Sequence, residues 1–302
     1  MKKIYTAFLL LLTMNFALQA QNDTVKNWKI KGKVSLNVNQ NYYSNWAAGG
    51  ENNFGLIGKY SMHADYKKGE NSWLNWLDLA LGYSVIGKSD PVKTDDKMEF
   101  ISTYKRKLTK YWSLTALGSF KSQFANGYDY AVDSTTPISR FLAPGYVDFG
   151  PGFLYQPVKW FSVNLSPANL HWVIVNDQRL ADEGAFGLDP AKKDQNGNII
   201  AHAKKSRMDF GARMILLLKY DIAKNVNLST KLELFSNYLD NPQNIVVDWQ
   251  TNIGLKVNDW LNVTFTTTVL YDNRVLITDK NGNTGPRTQF KQLLMVGFGY
   301  SF

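Results

Sequence analysis

Long stretches of strict apolar/polar alternation constrain this chain more than any other feature, and the clearest stretch comes last. Leu294, Val296, Phe298, Tyr300 and Phe302 are separated by Met295, Gly297, Gly299 and Ser301. A strand turns successive side chains to opposite faces. This run therefore presents one apolar face that finishes on aromatic residues. In a membrane barrel such a face meets lipid, and the run reads as the final strand of one.

The same period recurs upstream. Ile30, Gly32, Val34, Leu36 and Val38 alternate with Lys31, Lys33, Ser35, Asn37 and Asn39. Phe54, Leu56, Gly58, Tyr60 and Met62 alternate with Gly55, Ile57, Lys59, Ser61 and His63. Further runs hold Trp73 to Val85, Met98 to Leu108 and Trp112 to Phe120, then Val147 to Tyr155 and Phe161 to Leu165. Met208 to Leu218, Leu228 to Tyr238, Ile245 to Leu255 and Leu261 to Tyr271 precede the last run. Counted this way, the fold class is all-β: a transmembrane, antiparallel, up-and-down barrel of twelve strands. An even number closes a barrel with both ends on one side, and closure leaves no unpaired edge in lipid.

The connections alternate in length. Short polar turns followed by an aromatic anchor occur at Lys110-Tyr111-Trp112, Lys159-Trp160-Phe161 and Asp259-Trp260-Leu261, with a weaker version at 224–228, and 67–71 is the fifth tight connection. Longer connections are expected near 41–52, 87–97, 125–144, 171–206 and 272–286, with a brief one at 239–243. Two of them carry hairpin signals, Asn196-Gly197 and Asn281-Gly282. Short turns and both termini are placed on the periplasmic side of a Gram-negative outer membrane, long loops outside. A β-sandwich or lipocalin-like barrel also alternates. The whole ensemble of long strands, Trp anchors, leader and aromatic end favours the membrane.

The first twenty residues read as a cleaved leader: Lys2 and Lys3, an apolar Ile4 to Leu12, and a small-residue site at Ala20. Residues 21–302 then form one barrel domain. No stretch approaches the eighteen apolar residues of a membrane helix. Without Cys, disulfides, thiol catalysis and thiolate metal sites are excluded. Removing Lys2 and Lys3 from the 34 basic residues leaves 32 against 25 acidic, a net charge of about +7. That is too modest to imply nucleic acid.

If the apolar set faces lipid, the alternate set lines the lumen. Its charges include Lys31, Lys33, Lys59, Lys105, Lys121, Arg207, Asp209, Arg213, Lys231, Glu233 and Lys291. The basic excess predicts an anion-biased pore. Eight strands are filled by side chains and sixteen leave a channel. For twelve, the expectation is a constricted lumen whose opposite charges pair.

Catalytic signals are weak. A barrel hydrolase needs a nucleophile, a base and an orienting group. The histidines, in His63-Ala64-Asp65, His171-Trp172-Val173 and His202-Ala203-Lys204, have no Ser two residues on. The Asp194-Gln195-Asn196-Gly197 and Asp279-Lys280-Asn281-Gly282 segments lack the downstream Glu of a calcium loop. Asp95 and Asp96 are placed in a solvated polar loop. No cofactor is expected.

Two outward segments are over-specified for simple connections. One is Trp46-Ala47-Ala48-Gly49-Gly50-Glu51-Asn52. The other runs from Ser166 through Arg179 to Leu188, and its Leu, Phe and Gly content predicts folding back over the barrel mouth. Trp46, Gly49, Gly50, Glu51, Asn52, Arg179 and Phe186 are the candidate partner surface. Through Trp46-Ala47-Ala48-Gly49-Gly50-Glu51-Asn52 and Asp182-Glu183-Gly184-Ala185-Phe186-Gly187 the chain resembles an outer-membrane barrel family of unknown function in Bacteroidota. That resemblance implies location and fold, with no catalytic residue carried over. The expected partners are outer-membrane lipid, the barrel-assembly machinery acting on the strand ending at Phe302, and other envelope proteins.

Overall fold

A computed structural model describes residues 27–41, 52–130, 132–279 and 281–301. Twelve strands form the wall: β1 (Trp28–Asn41), β2 (Asn53–Lys68), β3 (Asn71–Ile86), β4 (Val92–Lys107), β5 (Trp112–Ser122) and β6 (Gly145–Val158). They continue as β7 (Phe161–Ile174), β8 (Ser206–Ala223), β9 (Val226–Asn237), β10 (Ile245–Lys256), β11 (Leu261–Tyr271) and β12 (Gln289–Ser301). Each pairs antiparallel with the next in sequence, and β12 returns to β1, closing the barrel. The closing seam pairs Lys33–Val38 with Val296–Ser301. The twelve-stranded up-and-down expectation is met.

Alternation set the facing correctly. Leu294, Val296, Phe298 and Tyr300 lie outside and exposed, while Met295 is buried within. Outward Phe100, Leu165 and Trp249 are likewise exposed on the wall. At the short-turn end, aromatic rings pair along the rim: Trp28 with Trp73 at 6.1 Å, Trp160 with Tyr220 at 5.8 Å, and Trp260 with Phe298 at 5.7 Å. Such a ring suits an interface where an apolar body meets a polar boundary.

Two boundaries differ from the sequence expectation. The connection at 87–97 shortens to 87–91, because β4 begins at Val92. Its first residues are polar, but a strand end that rises past the apolar band needs no lipid-facing side chain. The second segment does not leave the wall at Ser166, since β7 continues to Ile174. There the register with β6 passes from Phe153↔Leu165 to Phe149↔Leu170. Three residues of β6 thus face four of β7. This bulge absorbs Pro151 and Pro167, neither of which can donate a backbone N–H. Gly150 and Gly152 are required beside it, since a Cβ would meet the Ala168 and Leu165 carbonyls at 2.7 and 2.6 Å.

Both hairpin signals form hairpins: Lys192–Lys193 with Ile199–Ala201, and Leu276–Thr278 with Thr284–Pro286. Asp194 Oδ1 accepts from the Asn196 and Asn198 amides at 2.9 and 2.8 Å. Asp279 Oδ1 does the same for Asn281 and Asn283. The aspartates of the calcium-like segments are turn caps.

Candidate functional site

The interior divides into a side-chain bridge, a docked loop, an open lane and a mouth at the long-loop end. The bridge joins strands on opposite sides of the barrel. Lys231 of β9 reaches Glu99 of β4 at 2.8 Å, and Lys97 reaches the same carboxylate at 2.6 Å. Lys121 of β5 contacts Asp248 of β10 at 3.0 Å and Glu233 of β9 at 3.2 Å. Arg213 of β8 is 2 % exposed and donates to Glu233 at 2.7 and 3.0 Å. It lies 3.8 Å from Asp148 of β6. Asp148 also accepts from Ser119 and Asn169 and pairs with the His171 ring at 2.8 Å.

Lys97, Lys121, Arg213 and Lys231 thus meet Glu99, Asp148, Glu233 and Asp248. Four charges of each sign balance, so the basic excess read from the sequence is cancelled at this level. Desolvated charges need close opposite partners, and this set supplies them across the barrel. Apolar side chains pack inward as well: Ile57, Leu117, Ile215 and Phe235 are all buried.

The docked loop closes one side of the mouth, as its composition predicted. The helix α1 (Gln178–Asp182) is capped by Asp177, which accepts from the Leu180 amide at 3.1 Å. Leu180 and Ala181 are buried with Val173, Val175, Leu188 and Ala143, and Phe186 packs against them at a left-handed φ of 57°. Arg179 pairs with Glu183 at 2.9 Å and donates to the Pro137 carbonyl, bracing the neighbouring 123–144 connection. Trp46, Gly49, Gly50 and Glu51 lie outside the described residues, and Asn52 directly precedes β2.

Asp182 ties this loop down. Burial alone would push its carboxyl up. The Ala203 amide at 2.8 Å, the His202 ring at 2.7 Å and the Gln178 amide at 2.9 Å hold it below the ordinary carboxylate range. A carboxyl depressed on docking stabilises the docked loop above its undocked pKa. That contribution is lost as pH falls through the lower, docked value. Hydrogen exchange at the Ala203 amide should therefore stay slow into the ordinary carboxylate range and accelerate only in stronger acid. In Asp182→Asn it should be fast already at neutral pH; equal protection in both proteins would remove Asp182 from this role.

Beside the bridge runs the lane, a cavity of 810 Å³ along β1, β2 and β10–β12. It extends from Asn258 and Asp259 at the short-turn end to Asp95 and Lys291 towards the long-loop end. Its wall is rich in neutral polar groups, among them Ser35, Asn37, Gln250, Asn252, Thr264 and Thr266. Apart from Lys97, which the bridge already engages, four lysines (Lys33, Lys59, Lys256 and Lys291) face three aspartates (Asp78, Asp95 and Asp259). A smaller cavity of 100 Å³ adjoins it across Trp76. There the Lys219 ammonium lies 4.5 Å over the indole.

Arg207 and Asp209 belong to the long-loop mouth instead. Arg207 donates to Asp209 at 3.0 Å and to the Gly187 carbonyl, while Arg274 joins Asp209 at 3.0 Å and bonds Asp240. Lys31 sits on the lumen face of β1 opposite His63, and Lys105 lies on β4 between Ser72 and Thr115. Neither joins the bridge.

The residues that sequence reasoning missed are mostly acidic partners. Asp148 and Asp248 occupy the inward parity of their strands, so the alternation itself marked them. Asp95 and Asp96 are corrected from a solvated loop to strand β4. Asp96 accepts from the Phe124 and Ala125 amides at 2.8 and 3.0 Å and pairs with Lys93 at 2.9 Å. Asp95 points into the lane. Its facing follows the parity of Glu99 and Lys97, and it was hidden only because 87–97 read as a loop.

Residues 38–128 match a family of proteins of unknown function (DUF3078). No curated protein matches the chain. Among solved structures, an outer membrane channel from Pseudomonas putida F1 is similar at 13% identity and a TM-score of 0.40, covering 90% of this chain and 95% of that one. The translocator domain of the autotransporter NalP from Neisseria meningitidis is similar at 10% identity and 0.31, covering 100% and 98%.

Proposed function

We propose that the chain is an outer-membrane barrel that passes small hydrophilic solutes along its off-centre lane, with a mild preference for anions. The observation that carries this reading is the lane itself. It is polar, it follows the barrel from one end to the level of Asp95 and Lys291, and its lysines outnumber its aspartates. Charged side chains lining a narrow path set which ions enter. In this reading the short turns and both termini face the periplasm and the long loops face outward. The bridge contributes rigidity rather than selectivity, because its charges cancel.

Planar-bilayer recording tests the proposal. The refolded barrel should give small, discrete conductance steps. In a salt gradient the reversal potential should lie modestly on the anion side. A correctly folded barrel that inserts and stays silent would overturn the reading.

One observation favours a second reading. The 176–188 loop is docked by a buried apolar cluster and braced to its neighbour through Arg179. A preformed outer surface of this kind suits an accessory subunit of an envelope complex. Native pull-down from membranes should then recover a stoichiometric partner, and a barrel recovered alone would remove it. A hydrolase draws no support from Ser119, whose hydroxyl donates to Asp148 and accepts from Arg213 instead of bonding a histidine.

A further inference from the structure

The long-loop end of the lane is crossed by one carboxylate held between two lysines from different strands. Lys291 of β12 donates to Asp95 Oδ1 at 2.7 Å. Lys59 of β2 lies 3.9 Å from Asp95 Oδ2. Asp95 itself comes from β4, four strands away from β12 around the ring. All three side chains line the cavity. The Lys291–Asp95 contact therefore spans the lane instead of lying along its wall.

These groups differ from the bridge charges in two ways. The bridge balances four charges against four, whereas here two ammonium groups share one carboxylate. The bridge is also tightly packed, with Arg213 2 % exposed, whereas the Lys291 side chain is 45 % exposed and free to swing towards solvent. A half-exposed ion pair is weak. It can open and close with little cost.

We propose that Asp95 is the selectivity-determining latch of the lane: it masks Lys59 and Lys291 from passing anions and, when paired with Lys291, narrows the path. This rests on the channel reading and deepens it. With Asp95 neutralised, two uncompensated ammonium groups face each other across the lane and form an anion site. With Lys291 neutralised instead, Asp95 keeps only the more distant Lys59, and the same point turns towards cations.

The test is single-channel recording of the full-length barrel in a potassium chloride gradient. It compares the parent, Asp95→Asn, Lys291→Gln and, as a charge-matched change far from the lane, Asp194→Asn. Folding of each is checked first by heat-modifiable gel mobility. Asp95→Asn should raise the chloride-to-potassium permeability ratio by up to about thirtyfold, since one unit charge at about 4 Å in water weights each ion about fivefold and in opposite directions for chloride and potassium. Lys291→Gln should move the ratio the opposite way. Adding Lys59→Gln and Lys291→Gln to Asp95→Asn should reverse the gain. A parent that conducts while Asp95→Asn and Lys291→Gln keep its selectivity overturns the latch and leaves the channel reading standing. Silence of parent and variants alike overturns both. A silent parent with a conducting Asp95→Asn overturns the channel reading for the parent chain, and with it the latch as a selectivity device. Should Asp95→Asn fail to fold, the Lys291→Gln direction decides alone.

Discussion

Replacing Arg213 by methionine is expected to lower the unfolding free energy of the barrel by about 3–5 kcal/mol, the cost of leaving a buried charge without its partner. The guanidinium makes two hydrogen bonds to Glu233 and one to Ser119, and faces Asp148. It is thus the cation between two acids from different strands, Asp148 of β6 and Glu233 of β9. Lys121 can still reach Glu233, at 3.2 Å, so that carboxylate keeps one partner. Asp148 fares worse. It is 4 % exposed and would retain only the Ser119 hydroxyl, the Asn169 amide and the His171 ring. The expected response is either protonation of an acid or entry of water, and both cost stability. Methionine fills comparable volume, so the loss reports charge rather than a cavity. Urea unfolding in lipid vesicles measures it. Lys256→Ala provides the contrast: its pair with Asp259 is exposed at both ends, 57 % and 95 %, and an exposed pair is worth about 0–1 kcal/mol. Equal effects at the two sites would mean that water reaches the bridge freely.

The wall was legible because a strand has a single period and a barrel has no edges. Each of the twelve runs could be recognised by itself, and closure fixed the count. Facing failed only where that period is interrupted or weak. Asp95 was missed because the polar start of β4 read as loop, although it shares the inward parity of Lys97 and Glu99. In β8, by contrast, Met214 to Leu218 are all apolar, yet the flanking Arg213 and Lys219 place the buried Ile215 on the inward face. The lumen was legible as a set of charges but not as a set of pairs. Lys121 and Asp248 are 127 residues apart, and their contact depends on the diameter and stagger of the barrel, which no local pattern encodes. This is also why a basic excess along the chain became a balanced bridge plus a separate lysine-rich lane. The folded-back loop could be anticipated from its Leu, Phe and Gly content. Its anchor, Asp182 beneath the Ala203 amide, could not, since a carboxylate in a loop ordinarily reads as solvated.

The inside-out character of the wall gives the second large effect. Leu165→Arg, on the outward face of β7, is expected to cost about 2–4 kcal/mol in a bilayer, the range for a cation near the midplane of a barrel's lipid face. Its depth follows from the sequence. Trp160 stands at the short-turn rim against Tyr220, and Leu165 lies five residues further along the strand. At about 3.3 Å per residue and a tilt near 40°, that places it about 12 Å from the rim, close to the middle of an apolar band about 25 Å tall. The side chain is already 47 % exposed, so the substitution creates no cavity and breaks no packing of consequence. On a water-soluble barrel the same change would be nearly neutral, within about 0.5 kcal/mol. The adjacent inward residue makes the comparison sharp. Asn164 is 7 % exposed and donates to the Thr115 hydroxyl at 2.8 Å, so Asn164→Ala strands a buried acceptor and costs about 1–3 kcal/mol in any solvent. The two variants therefore separate by medium. In a short-chain detergent that lets water reach the wall, the Leu165→Arg penalty should shrink while the Asn164→Ala penalty persists. A Leu165→Arg barrel as stable in vesicles as its parent would mean that the apolar face meets something other than lipid.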